Sequence, residues 1–202
     1  MIYITGGSGL LGKALQKYLS DRNIFYICHD RNKDNYSGLV KCTVVINCQA
    51  YGNHYDQKNI SETIKANCSD LSKLLLQCSG KKVYNISSSS VHLKVQTPYS
   101  LTKQLGEMIV KSFNNPNFVN VRPYTLFGEG DAETHLIPTI IRHLKNGELM
   151  KLDPTPKHDF IHVEDFINYM FKGETEIGSG ISWSNLEIVE MLEKISNKKL
   201  NF

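Results

Sequence analysis

The chain has 202 residues, of which 41% are hydrophobic, and a formal net charge of +3 at pH 7. This composition is typical of a globular protein, and the length suits one domain with a small appended lobe. The basic residues are scattered, which gives no indication of nucleic-acid binding, and no apolar run is long enough to span a membrane. The first predicted strand begins at Met1 and leaves no room for a signal peptide, so we expect a cytoplasmic protein without a membrane or nucleic-acid partner.

The cysteines exclude two further classes. Their number is odd and no two have CxxC spacing, so they indicate neither a disulfide framework nor a metal site. Because they lie in apolar or helical segments, we expect buried, reduced thiols and no bound metal.

Strand and helix patterns alternate along the first 125 residues. Predicted strands lie at 1–5, 24–28, 43–48, 82–87 and 118–122. Helical spacing of apolar residues is found from about residue 10, at 57–79 and at 99–113. The buried side of the second helix is expected to carry Ile60, Ile64, Leu71, Leu74 and Leu75. This alternation predicts a parallel sheet with right-handed crossovers, which is an α/β fold of the doubly wound Rossmann type.

After residue 125 the alternation loosens. A helix is predicted at about 135–145, a strand at 160–163 and two helices near 164–171 and 184–196. No long linker separates these elements from the rest. We therefore expect a dinucleotide-binding Rossmann core at 1–125 and a small C-terminal substrate lobe at 126–202 that is interleaved with the core.

A glycine-rich turn follows the first strand and opens the first helix. Gly7, Gly9 and Gly12 have G-x-G-x-x-G spacing, which lets backbone N–H groups approach a pyrophosphate at a helix N-terminus. Asp30 ends the second strand, where a carboxylate accepts hydrogen bonds from the ribose of NAD. Arg31 could instead attract the extra phosphate of NADP. The sequence thus predicts a nicotinamide coenzyme, with NAD preferred and NADP possible.

A serine, a tyrosine and a lysine form the predicted catalytic group. Tyr99 and Lys103 stand four residues apart at the start of a helix and share one of its faces. A nearby ammonium lowers the pKa of a phenol, so we expect Lys103 to make Tyr99 a proton donor or acceptor near neutral pH. Ser88 follows the fourth strand directly, at the edge where open α/β sheets bind ligands, and could hold a substrate oxygen.

The order of these motifs resembles that of the extended short-chain dehydrogenase/reductase family, which includes nucleotide-sugar epimerases, dehydratases and reductases. The resemblance rests on TGGSGLLG at 5–12, VVINCQAY at 44–51, ISSSSVH at 86–92, PYSLTKQLGE at 98–107, VRPYTLFGEG at 121–130, HDFIHVEDF at 158–166 and IGSGISWSNLEIVE at 177–190. It implies hydride transfer at C4 of the hexose of a nucleotide sugar, by a 4-epimerase or a 4-keto-sugar reductase. It also implies a homodimer formed through the helix of Tyr99 and the one before it, for which Leu105, Met108 and Ile109 are candidate contacts.

The resemblance further assigns contacts to coenzyme and substrate. Asn67 is similar to the family's structural asparagine behind the coenzyme site, and His135 matches a histidine that acts as an acid in the GDP-fucose synthase group. The implied coenzyme contacts are Gly6, Gly9, Leu10, Leu11, Gly12, Asp30, Arg31, Gln49, Ala50, Tyr51, Asn67, Tyr99, Lys103 and Tyr124. The implied substrate contacts are Ser89, Ser90, His135 and His158.

Departures from the family pattern restrict the reaction. Ser89 and Ser90 stand where the dehydratases have an acidic pair, which disfavours a 4,6-dehydratase because elimination needs a further acid and base. His158 stands where the family often has an arginine for the nucleotide diphosphate. The chain is also short after Asp30 and in the substrate lobe, so a non-catalytic coenzyme-binding protein with a regulatory or scaffolding role is the alternative to an enzyme. Retention of all three catalytic residue types favours the enzyme.

Overall fold

The structure is a computed structural model that describes residues 1–29, 36–54 and 56–202, so the predicted contacts Asp30 and Arg31 lie outside the described residues. The first half contains β1 (Ile2–Thr5), α1 (Leu10–Ser20), β2 (Tyr26–Cys28), β3 (Val44–Asn47), α2 (Ile60–Ile64), α3 (Asp70–Leu76), β4 (Lys82–Ile86) and α4 (Pro98–Ser112). The second half contains β5 (Phe118–Pro123), β6 (Thr125–Phe127), α5 (Leu136–Asn146), β7 (Lys157–His162), α6 (Val163–Lys172), β8 (Glu176–Ile177), β9 (Ser182–Ser184) and α7 (Asn185–Ser196). In these ranges no helix combines the length and apolar character needed to cross a bilayer.

The main sheet has six parallel strands in the order β2-β1-β3-β4-β5-β8. The chain runs outward from β1 to β2 and then crosses back to place β3 on the other side of β1. In a sheet of this kind a ligand crevice lies at the carboxyl ends of the strands beside that reversal, here β1 and β3. The doubly wound α/β fold predicted from the sequence is confirmed.

Three strands of two or three residues were not predicted. β8 pairs with β5 in the main sheet, and β6 and β9 flank β7 in a separate three-stranded sheet. Such short segments leave no repeating pattern of apolar residues, because their position is decided by the strands they pair with. The division of the chain at residue 125 stays a prediction, although β8 shows that the C-terminal segment contributes to the main sheet.

Apolar side chains cover both faces of the main sheet. On one face Ile4 and Ile46 pack with α1 and α6, whose Phe166 is fully buried. On the other face Tyr3 and Val45 pack with α3 and α4. Strands buried on both faces explain the continuous apolar runs in the sequence.

The helix predicted at 57–79 is found as α2 and α3 joined by a π-helical turn, Lys65–Ser69. Its expected buried side was wrong in part, because Ile60 is 56% exposed and Ile64 is 46% exposed. The residues of α3 on that side are buried as expected, namely Leu71, Leu74 and Leu75. The π-helical turn rotates the helix about its axis, so that α3 faces the sheet while α2 shows apolar residues to solvent.

Close packing of α4 on the π-helical turn depends on Gly106. A Cβ at this position would lie 2.9 Å from the carbonyl oxygen of Asn67 and 3.3 Å from Leu71 Cδ2. Both distances are shorter than ordinary contacts, so a larger residue would push the two helices apart.

We expect Gly106→Ala to lower the free energy of unfolding by about 1–3 kcal/mol, because overpacking outweighs the gain in helix propensity. At an open helix position the same change would raise that free energy by about 1 kcal/mol, so the sign is diagnostic. Urea denaturation measures it, and Ile195, which is 79% exposed on α7, provides an Ile195→Ala control with an expected change within about 0.5 kcal/mol. A Gly106→Ala protein more stable than wild type would contradict the close packing.

Candidate active site

The glycine turn closes between β1 and α1 because two of its glycines have no room for a side chain. A Cβ on Gly6, whose φ is +67°, would lie 2.7 Å from the carbonyl carbon of Cys48, and one on Gly12 would overlap the Gly6 oxygen. Gly9 differs, since a Cβ there would meet the Gly6 oxygen at an ordinary 3.7 Å. Gly9 is exposed at the N-cap of α1, and no side chain among the described residues caps this helix. The N-terminus of α1 is therefore available to an anion.

Gln16 holds the turn together and was not predicted. Its Nε2 donates to the carbonyl oxygens of Gly7 at 2.7 Å and Gly12 at 3.1 Å. The signal in the sequence was a polar residue one helical turn after Gly12, on the face that α1 turns inward.

A cavity of about 470 Å³ opens beside the turn, at the carboxyl ends of β2 and β3. Its lining includes Gln49, Ala50 and Tyr51, three of the predicted coenzyme contacts, together with His29. The volume is that of a small-molecule site. The cavity and the glycine turn adjoin, because the Gln49 backbone nitrogen would be 2.7 Å from a Cβ on Gly6.

The loop after β3 connects the glycine turn with α4. A Cβ on Gly52 would lie 3.6 Å from Tyr99 Cβ, so the far end of the loop touches the predicted catalytic tyrosine. Asn67 holds the loop from behind: its Oδ1 accepts the Tyr51 N–H at 3.1 Å, and its Nδ2 donates to Tyr51 O at 2.9 Å and Thr102 Oγ1 at 2.9 Å. These contacts are those of a structural residue that positions the loop.

Ser88, Tyr99 and Lys103 come together at the carboxyl end of β4. Lys103 Nζ donates to the Ile86 carbonyl oxygen at 2.8 Å and lies 5.8 Å from the centroid of the Tyr99 ring. The Ser88 side chain lies close enough to Tyr99 to act on the pKa of its phenol, and Ser88 Oγ accepts the Ser90 N–H at 3.1 Å. The arrangement places two hydroxyl groups and an ammonium where one substrate oxygen could meet them.

The charge states of this group differ from the expectation. Burial raises the pKa of Tyr99 to about 12, and the neighbouring Ser88 side chain opposes the shift in part. Burial also lowers the pKa of Lys103 to about 8. The expected lowering of the Tyr99 pKa by Lys103 was wrong, because Nζ is directed at the Ile86 carbonyl and loss of hydration of the phenolate is the larger effect. Tyr99 is therefore a neutral phenol at neutral pH.

Glu107 ties α4 to the ends of β4 and β5 and was also not predicted. The residue is 5% exposed, and its carboxylate accepts hydrogen bonds from Ser87 Oγ at 2.6 Å, Arg122 Nε at 2.7 Å and Arg122 Nη2 at 2.6 Å. Burial acts to raise the pKa of Glu107, but the hydrogen bonds from Arg122 and Ser87 outweigh it and hold the pKa below its usual value. The signal was a glutamate one turn after Lys103 on the same helix face.

The predicted substrate contacts Ser89 and Ser90 lie in a 3₁₀-helical turn that follows Ser88. Ser90 Oγ is buried and has no hydrogen-bond partner within the described part of the chain. An unpaired buried hydroxyl costs roughly 1–3 kcal/mol, so a ligand oxygen would be a favourable partner for it.

His135 lies at the N-cap of α5 and is held by two contacts. Its Nδ1 lies 2.7 Å from Asp131 Oδ1, and its ring stacks on that of His54 with a centroid distance of 4.7 Å and an interplanar angle of 14°. His54 belongs to the loop after β3, so the stack joins this loop to the C-terminal segment. His54 was missed because a single histidine in a loop leaves no pattern.

Four predicted contacts lie in other settings. Leu11 is in the core, with 7% exposure, and Leu10 is partly buried against it, so their backbone rather than their side chains faces the turn. Tyr124 follows β5 and donates its N–H to Ile177 O at 2.9 Å. His158 is exposed on β7 with its ring edge-on to Phe160. Within the described ranges no cluster of histidine, cysteine and acidic residues could hold a metal ion.

Comparison with known families identifies the class. The profile of the NAD-dependent epimerase/dehydratase family matches residues 2–175, which is most of the chain. The chain belongs to this family.

Particular relatives are distant. CDP-abequose synthase from Salmonella muenchen is 27% identical over 169 residues, which cover 71% of this chain and 57% of that protein. The chain thus spans little more than half the length of this curated relative. A UDP-glucuronic acid 4-epimerase from Bacillus cereus in complex with NAD matches with a TM-score of 0.85 at 22% identity, covering 99% of this chain and 85% of the other. A dTDP-4-dehydrorhamnose reductase from Clostridium acetobutylicum matches with a TM-score of 0.84 at 22% identity, covering 99% and 81%. These structures share the fold along nearly the whole chain.

We expect His135 to titrate above pH 6.5 and His54 below it, as NMR of the imidazole signals would show. A hydrogen bond with Asp131 raises the pKa of His135 from 6.5, whereas burial and the neighbouring His135 lower that of His54. Asp131→Asn should lower the His135 midpoint. Because the folded-state pKa of His135 is raised, the contact between His135 and Asp131 stabilises the fold below pH 6.5. This contribution is lost as the pH rises through the folded-state pKa of His135. An unchanged His135 midpoint in the variant would exclude the pairing.

Proposed function

We propose that the protein transfers a hydride between a nicotinamide coenzyme and C4 of the hexose of a nucleotide sugar, as a 4-keto-sugar reductase or a 4-epimerase. The observation that carries this proposal is the placement of Ser88, Tyr99 and Lys103 together at the carboxyl end of β4. The loop after β3 connects them to the glycine turn. A protein that merely bound a coenzyme would need the turn but none of these three side chains.

The residues around the turn fit a dinucleotide. Folding requires no glycine at position 9, so the glycine there suits a site where a diphosphate approaches the backbone. The adjoining cavity, with Gln49, Ala50 and Tyr51 in its lining, would hold the adenosine part. When bound, the coenzyme supplies or accepts the hydride. Membership of an NAD-dependent family supports NAD, with NADP as the second possibility.

Tyr99 is the proton donor in this proposal. A neutral phenol with a pKa of about 12 can give its proton to the C4 oxygen as negative charge develops there, while Ser88 hydrogen-bonds the same oxygen. The Lys103 ammonium, held by the Ile86 carbonyl, would orient the coenzyme ribose, as the family resemblance implies. Oxidation of an alcohol, the first step of a 4-epimerase, runs the same proton transfer in reverse, with Tyr99 as the acceptor. The oxidation state of the coenzyme and the substrate therefore decide between a reductase and an epimerase.

Two observations support a nucleotide sugar as the substrate. The three relatives are named for CDP-abequose, UDP-glucuronic acid and dTDP-4-dehydrorhamnose, which are nucleotide-linked sugars. In this chain the unpaired hydroxyl of Ser90 lies next to the catalytic group, where it could bind a sugar oxygen. Ser89 and Ser90 in place of an acidic pair continue to disfavour a dehydratase.

We expect Tyr99→Phe to lower turnover by at least about 100-fold, because the proton donor is lost, and to leave the Kd for NADH unchanged. The assay follows the nicotinamide absorbance with a panel of 4-keto nucleotide sugars and both reduced coenzymes. The control is Tyr169→Phe, at a half-exposed position on α6 far from β4 in the chain. Stoichiometric consumption of reduced coenzyme marks a reductase, and interconversion without net consumption marks an epimerase.

Two results would count against the proposed mechanism. Retained activity in Tyr99→Phe would show that another group moves the proton. Tight NADH binding with no turnover on any member of the panel would favour a coenzyme-binding protein with a regulatory or scaffolding role.

We also propose a homodimer formed through α4 and α2. Leu101, Leu105 and Met108 follow helical spacing on α4 and are 48%, 42% and 64% exposed. Ile60 and Ile64 on the neighbouring α2 are exposed as well. Ile109, a third residue predicted for this contact, instead packs in the core beneath α4.

We expect the double variant L105K/M108K to shift the protein from dimer to monomer, because two charges would be buried without partners at the contact. Light scattering after size-exclusion chromatography measures the mass. The control Ile195→Lys changes a residue on α7 that is 79% exposed and should leave the mass unaltered. A wild-type monomer at micromolar concentration, or an unaffected double variant, would refute this contact.

A further inference from the structure

A row of hydrogen-bonded side chains crosses the main sheet at its carboxyl end. Thr5, Asn47, Asn85 and Asn120 are register partners on the adjacent strands β1, β3, β4 and β5. Thr5 Oγ1 donates to Asn47 Oδ1 at 2.5 Å, and Asn47 Nδ2 donates to Asn85 Oδ1 at 2.9 Å. Asn85 Nδ2 donates to Asn120 Oδ1 at 2.8 Å, and Asn120 Nδ2 to the Glu107 carbonyl oxygen on α4 at 3.4 Å. We name these four side chains the asparagine ladder.

The direction of the ladder follows from its last contact. A backbone carbonyl can accept but not donate, so Asn120 must present its NH₂ group to Glu107 and its oxygen to Asn85. The same reasoning applies at Asn85 and Asn47, and the Thr5 hydroxyl becomes the first donor. Amide groups aligned in this way polarise and strengthen one another. One contact on α4 therefore orients side chains on four strands.

The ladder occupies a face that is otherwise apolar. One pleat earlier, the register partners Tyr3, Val45 and Val83 on the same face are fully buried in the core. Parallel strands covered on both faces ordinarily continue with such residues. Asn47 and Asn85 are each 4% exposed, and a buried carboxamide costs free energy unless it is hydrogen-bonded. Burial of surface therefore does not explain why asparagine stands at three successive positions.

The ladder touches both halves of the proposed site. Thr5 directly precedes Gly6, where the glycine turn begins. Asn85 directly precedes Ile86, whose carbonyl oxygen holds Lys103 Nζ at 2.8 Å. A displacement of either strand end would thus move a group that contacts coenzyme or substrate.

We propose that Asn47, Asn85 and Asn120 are positioning residues, which hold the glycine turn and the helix α4 at the spacing that hydride transfer requires. The contact with Glu107 lies one turn beyond Lys103, so it fixes α4 next to the catalytic residues. This inference rests on the proposed function. Because misplacement of reacting groups by about 1 Å can cost about 100-fold in rate, the ladder acts through alignment.

Three variants separate alignment from stability. Asn85→Leu breaks the ladder in the middle and leaves partners unpaired on both sides. The quadruple variant T5V/N47L/N85L/N120L replaces all four side chains with apolar ones, so that no polar side chain of the ladder is left without a hydrogen-bond partner. The control Val83→Ala removes buried atoms from the same face of β4 without touching the ladder. Each protein is characterised by its urea midpoint, its Kd for NADH, and kcat and KM on the best 4-keto nucleotide sugar of the panel.

We expect Asn85→Leu and the quadruple variant to lower kcat by about 10- to 100-fold, with KM and the NADH Kd within about threefold of wild type. The quadruple variant should do so although its urea midpoint is close to that of wild type. Val83→Ala should lower the urea midpoint and keep kcat. Wild-type kcat in the quadruple variant would overturn the inference, as would an equal loss of kcat in Val83→Ala.

A further variant and a substrate-free measurement keep the test decisive. Asn120→Leu removes the half-buried last rung and its contact with α4, and should lower kcat in the same way if the quadruple variant does not fold. NMR titration of Lys103 Nζ should show a changed midpoint in the ladder variants and an unchanged one in Val83→Ala. If wild type turns over no panel substrate, the proposed reaction is refuted. A changed Lys103 midpoint in the ladder variants would then still support the ladder's role. Unchanged midpoints in Asn85→Leu and Asn120→Leu would refute the ladder's role whatever the substrate.

Discussion

The attachment of α4 to the carboxyl ends of β4 and β5 is the constraint on which the candidate site depends. Lys103 and Glu107 lie one turn apart on this helix and are both buried. A buried charge without a partner costs several kcal/mol, so each must reach an acceptor or donor on the sheet. Lys103 reaches the Ile86 carbonyl, and Glu107 reaches Arg122. Two such contacts leave α4 one rotation and one height relative to the sheet, and these place Tyr99 beside the end of β4.

The coenzyme side of the site is organised by close backbone approach instead of charge. Gly6 and Gly12 allow the turn before α1 to pack where no Cβ fits. Gly52 lets the loop after β3 lie against Tyr99, and Asn67 holds that loop at both backbone groups of Tyr51. The same loop therefore touches the glycine turn at one end and α4 at the other. Through this loop, segments that are distant in sequence are held together in one site.

One cause acts on both titrating groups of the site. Burial disfavours charge, so it raises the pKa of Tyr99 to about 12 and lowers that of Lys103 to about 8. A neutral phenol is suited to giving a proton to a substrate oxygen, which is the requirement for reduction of a ketone. The stacked pair of His54 and His135 joins the loop after β3 to the C-terminal segment, where the family resemblance puts the sugar.

The sequence by itself determined five of the six strands of the main sheet, their alternation with helices and the glycine turn, and it proposed the three residues of the candidate catalytic group. These features leave local signals, because strands buried on both faces are apolar throughout and Gly7, Gly9 and Gly12 have the G-x-G-x-x-G spacing of one turn. The tertiary structure decided which face of α2 is exposed, where the short strands β6, β8 and β9 pair, and how Glu107, His54 and Asn85 are used. It also reversed the expected pKa shift of Tyr99. Each of these depends on which distant residues meet and how much water they exclude, and neither quantity is encoded in the spacing of neighbours along the chain.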